Sequence, residues 1–74
     1  VGQLRNKEFL TAFGENLKKL RKEKGFTQEK LAFSIGVEIS QISRIERGIL
    51  NTSISTAEAI AKAMNISLKD LFDF

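Results

Sequence analysis

The sequence predicts an all-α fold of five short helices. Three observations carry that prediction. The chain contains no proline to break a helix. Apolar residues recur at offsets of three and four along most of its length. Glycine or asparagine, the residues that best tolerate the left-handed conformation at a helix end, follows each of the first four periodic stretches.

The first helix is expected from Glu8 to Lys24, where Leu10, Phe13, Leu17 and Leu20 share one stripe. Residues 1–8 read as an arm or lead-in, and 9–74 as the domain. Gly25 ends this helix, and lysines in its last turn complement the dipole. Gly14 carries a propensity cost inside the helix, so close packing by another helix is expected there. Thr27 is the N-cap of a second helix, residues 28–35, with Leu31, Ala32 and Ile35 inward. Its capping box is incomplete because Lys30 stands where Glu or Gln would reciprocate. Gly36 stops that helix. A third runs from about Glu38 to Arg47 with Ile42 and Ile45 inward, and Gly48 stops it.

A loop, residues 49–53, ends in Ser53 as cap of the fourth helix, 54–64, which is expected to bury Ala57, Ile60, Ala63 and Met64. Asn65 terminates it. Ser67 and Asp70 make a capping-box pair for a last short helix with apolar Leu68, Leu71 and Phe72, followed by Phe74.

Seventy-four residues form one domain near the lower limit for a self-sufficient core. With no cysteine and no histidine, disulfides and the common zinc ligand sets are excluded, and no cofactor is expected. Stability must then come from helix packing, self-association or both. No apolar run approaches the roughly 20 residues that span a bilayer, so a cytoplasmic protein without a membrane partner is expected. Catalysis is not expected either: His, Cys and Tyr are absent, and neither a phosphate-cradling glycine loop nor a carboxylate cluster is evident.

The net charge of +3 is unevenly placed. Residues 1–48 carry ten Lys/Arg against six Asp/Glu, whereas 49–74 carry two against three. The densest block is LKKLRKEK, residues 17–24, whose Lys18, Lys19, Lys22 and Lys24 suit either a solvated face or a general field toward a polyanion.

The stretch GVEISQISRIERG, residues 36–48, is more specific. On a wheel of 100° per residue centred on Ile42, Ser40, Arg44 and Arg47 fall at roughly 160°, 200° and 140°. The helix is therefore apolar on one side and rich in hydrogen-bonding groups on the other. Counting from Gln28, apolar or small residues fill positions four, five, eight, ten, fifteen and eighteen (Leu31, Ala32, Ile35, Val37, Ile42, Ile45), with Gly36 ninth. That set is the pattern of a helix-turn-helix over about 28–47.

With the motifs LRKEKGFTQEKLA (20–32), ISRIERG (42–48) and IAKAMNISLKDLF (60–72), the chain resembles the Cro/C1-type helix-turn-helix regulators, and among them the small controllers of restriction–modification systems. The resemblance implies a lambda-repressor-like domain, binding of double-stranded DNA, and a homodimer on a near-palindromic operator, with no small-molecule ligand. It implies that Arg21, about 40° from Leu17 on its helix, pairs with Glu46, the carboxylate beside Ile42 and Ile45. Gln28 would clamp a phosphate, as family members use this glutamine.

Base contacts are expected from Ile39, Ser40, Gln41 and Arg44, since Arg suits guanine, Gln adenine and Ser either, while Ile39 suits a thymine methyl. Thr27, Ser43, Arg47, Asn51 and Ser53 are phosphate candidates, Ser53 already being needed as a cap. Glu38 departs from the Ser, Thr or Asp usual at this helix start. The end of the chain (Ile66, Leu68, Leu71, Phe72, Phe74) exceeds what one short helix hides and is expected to form the dimer seam over about 65–74. An antitoxin, a phage-type repressor and a protein-only interaction module are the alternative functions.

Overall fold

The computed structural model describes residues 6–74; most of the expected arm, residues 1–5, lies outside the described residues. Asn6 caps α1 (Lys7–Glu23), its side chain accepting from the Phe9 amide at 3.0 Å. Lys7, expected in the lead-in, is therefore the first residue of the helix. Further along, α2 spans Gln28–Ile35, α3 Ile39–Glu46, α4 Ile54–Ala63 and α5 Leu68–Leu71, so five helices make up the described residues.

The corner between α2 and α3 fixes the site. Gly36 adopts φ 76°, a conformation any Cβ would strain, and the Val37 amide reaches back to the Ala32 carbonyl at 3.0 Å. Ala32 is buried, and its small side chain lets the two helices approach. Leu31 and Ala32 from α2 and Ile42 and Ile45 from α3 then meet Phe13 and Leu17 of α1 in one core with Ala57 and Ile60 of α4.

At Gly14, α1 packs tightly on the end of α3. A Cβ built there would lie 2.5 Å from the Glu46 carbonyl oxygen and closer still to that of Ile45. The expected close packing at this glycine is thus a contact between a helix face and the last carbonyls of α3.

Helix α4 departs from expectation at one position. Ala61 joins Ala57, Ile60 and Met64 in the core, whereas Ala63 is only half-buried. Ser53 caps it, accepting from the Thr56 amide at 3.1 Å, and Asn65 closes it at φ 56°.

The C-terminal segment corrects a second expectation. Leu71 is 0% exposed and belongs to the core, so it cannot lie on a dimer surface. Its carbonyl accepts from Nδ2 of the buried Asn16 at 2.7 Å, and the Asp70 carbonyl accepts from the same nitrogen at 3.1 Å, tying α5 to α1. Ile66 is half-buried against the same core. Phe72 sits 5.0 Å, ring to ring, from Phe13, and Phe74 sits 5.3 Å from Phe9. The tail is partly a lid on its own monomer. Among the described residues no helix is long and apolar enough to cross a membrane.

Candidate nucleic-acid interface

Helix α3 presents two unlike faces. Ile42 and Ile45 are buried, while Ile39, Ser40, Arg44 and Arg47 are exposed. Gln41 and Ser43 are half-buried on the flanks, so Gln41 is less outward than its neighbours Ser40 and Arg44. The Arg47 Nε donates to the Ser43 carbonyl at 3.4 Å. Glu38 occupies the N-cap without a side-chain hydrogen bond, although its backbone carbonyl accepts from the Gln41 amide at 3.0 Å.

The exposed phosphate candidates sit on the flanking turns. Thr27 caps α2, its Oγ1 accepting from the Lys30 amide at 3.0 Å. Asn51 and Ser53 lie in the loop after α3, both exposed. Lys18, Lys19 and Lys22 are exposed along α1, as is Lys24 at its C-cap. Among the described residues no group of His, Cys, Asp or Glu is arranged to hold a metal ion.

Behind α3 lies a polar cluster. The Arg21 Nε donates to Glu46 Oε2 at 2.6 Å and its Nη2 donates to Glu46 Oε1 at 3.1 Å, a two-point pairing of a planar guanidinium with a carboxylate. Both residues are buried. The remaining Nη1 donates to the Phe26 carbonyl at 2.8 Å. Gln28 completes the cluster, its Nε2 donating to Glu46 Oε1 at 2.9 Å. Gln28, expected to face a phosphate, thus has one side-chain N–H committed to the protein. Nothing in the sequence marks the Gln28–Glu46 contact, which spans a separation of 18 residues and depends on how α2 and α3 cross.

A short helix, a glycine corner and a second, two-faced helix packed on a helical core define a helix-turn-helix domain. Residues 17–71 match the helix-turn-helix family, and the chain belongs to it, in the Cro/C1-type branch. It is similar to the control protein C.BamHI of Bacillus amyloliquefaciens, 43% identical over 63 residues that cover 84% of this chain and 78% of that one. The crystal structure of the restriction–modification controller protein C.AhdI from Aeromonas hydrophila superposes with a TM-score of 0.83 at 40% identity, covering 85% of this chain and 96% of that one. SinR, a biofilm master regulator solved in complex with DNA, superposes at 0.76 with 37% identity, covering 82% and 98%.

Proposed function

We propose that this chain is a sequence-specific double-stranded-DNA-binding transcriptional regulator acting as a controller of a restriction–modification system. The observation that carries it is the outward face of α3, where Ser40, Arg44 and Arg47 stand exposed opposite buried Ile42 and Ile45. Such a helix enters the major groove with its N-terminal residues on base edges. Ile39, Ser40, Gln41 and Arg44 read bases. Thr27, Gln28, Ser43, Arg47, Asn51 and Ser53 hold phosphates, with the exposed lysines of α1 adding a general attractive field. The similarity to control proteins and to a DNA-bound regulator supports this reading. A cytoplasmic, nucleoid-associated location follows from it.

The regulator acts as a homodimer, which sets two α3 helices one DNA turn, about 34 Å, apart over a near-palindromic site. Leu68, Phe72 and Phe74 remain exposed at the chain end. Beside them, a cavity of about 160 Å³ lies between Leu10, Phe13, Ala57 and Phe72, bordered by Ile54, which is 83% exposed. The seam is this surface, with Leu71 and Ile66 supporting it from the core side.

The test is selection of bound sites from a random-sequence duplex library at about 100 mM salt, since phosphate contacts make affinity salt-dependent. The expected result is enrichment of one near-palindromic site, with Arg44→Ala relaxing one base position at a cost of about 1–3 kcal/mol. Absence of any enriched sequence contradicts the assignment.

A further inference from the structure

We infer that Glu46 is the positioning residue for Gln28, so that the buried ion pair sets the geometry of a DNA phosphate contact as well as the fold. This rests on the proposed DNA-binding role.

An ionised carboxylate only accepts hydrogen bonds, so the amide group facing Glu46 must present nitrogen rather than oxygen. The 2.9 Å contact from Gln28 Nε2 to Glu46 Oε1 fixes that orientation. A primary amide nitrogen carries two N–H groups, and one is spent on Glu46. Gln28 as a residue is only half-buried, which leaves room for a phosphate, also acceptor-only, to meet the second N–H from the solvent side. The amide then bridges two anions. Such a bridge is tolerable only because the Arg21 guanidinium neutralises Glu46 through two hydrogen bonds and is itself anchored on the Phe26 carbonyl. Arg21 belongs to α1, Gln28 opens α2 and Glu46 closes α3, so the phosphate contact inherits its position from three helices. A free glutamine would have to order its side chain on binding; this one is ordered beforehand.

The experiment measures affinity for a labelled mixed-sequence duplex, using Gln28→Met, Glu46→Gln and the double variant. Measurements are made at low salt and at a temperature where circular dichroism shows each protein folded. Because phosphate contacts do not read sequence, no operator is needed. Gln28→Met is expected to weaken binding by about 10–100-fold, in line with loss of one hydrogen bond to a charged group. Glu46→Gln leaves a single acceptor oxygen, which the charged Arg21 guanidinium takes in preference, so it is expected to weaken binding similarly, and the double variant no further than the weaker-binding single one. A purely structural Glu46 lowers the melting temperature only: duplex affinity unchanged in folded Glu46→Gln, or losses that multiply in the double variant, overturns the inference.

Should Glu46→Gln not fold, ¹⁵N relaxation of the wild-type Gln28 side-chain amide decides. Restraint comparable to rigid backbone, an order parameter of about 0.85, is expected, and a value below about 0.6 overturns the inference. Failure of the wild-type chain to bind any duplex sinks the DNA-binding reading and the phosphate role with it.

Discussion

Arg21 Nε and Glu46 Oε2 stand 2.6 Å apart, joining the last turn of α1 to the last residue of α3, with side chains only 8% and 2% exposed. Desolvating two charges is costly, and the attraction repays it only where the remaining donors and acceptors are also satisfied. Here the Phe26 carbonyl and the Gln28 amide take up what the pair leaves over.

Removing either partner strands the other. Arg21→Ala or Glu46→Ala should lose about 3–5 kcal/mol in urea unfolding, whereas the apolar pair Arg21→Met/Glu46→Leu should recover most of it. A loss below about 1 kcal/mol for Glu46→Ala contradicts a buried pair of this kind.

Gly14→Ala tests the contact next to it. Alanine improves helix propensity by about 1 kcal/mol, but its methyl would meet the carbonyls of Ile45 and Glu46, which are backbone and cannot step aside cheaply. Overpacking of this sort costs about 1–3 kcal/mol or more. Thermal unfolding should show a net loss of stability; a gain would mean that α1 and α3 are not in contact here.

Glu38 is an N-cap without a cap bond. Glu38→Ser should stabilise the domain by about 1 kcal/mol by capping α3. It also removes a negative charge from the face assigned to DNA, so non-specific duplex binding should tighten and most visibly at low salt. Binding that is unchanged across a salt titration counts against Glu38 facing the phosphates.

Self-association is probed at Ile54 rather than at the chain end. Leu71→Ala would cost about 2–5 kcal/mol as a core truncation whether or not a dimer forms. Ile54→Lys changes an exposed residue, so the fold should survive while sedimentation equilibrium shifts to monomer and the melting temperature loses its dependence on protein concentration. A variant that still sediments as a dimer moves the seam elsewhere.

Much of the fold was legible because local chemistry dictated it. Thr27, Ser53 and the Ser67–Asp70 pair cap helices as their types and spacing require, and Gly25, Gly36, Gly48 and Asn65 all take positive φ. Gly14 announced a close approach through its propensity cost. What stayed hidden depended on tertiary geometry. Ala63 was expected inward on α4, yet at 100° per residue Ala61 lies nearer the stripe of Ala57, Ile60 and Met64, and the core takes Ala61. Leu71 reads like any apolar residue of a short helix, and only the docking of α5 on Asn16 shows that it faces the core. Gln28 gives no local sign of a partner on α3. The outward face of α3 was legible from its period, since a helix with Ile42 and Ile45 inward leaves Ser40 and Arg44 outward.

The proposed DNA-binding role requires this outward face to enter a DNA groove. It is tested most directly by titrating ¹⁵N-labelled protein with the duplex selected from the library and mapping amide shift changes. Changes are expected to concentrate at Thr27, Gln28 and along Ile39–Arg47, and to shrink in Arg44→Ala. Perturbations confined to the Phe9, Phe72 and Phe74 surface, with α3 silent, would contradict it.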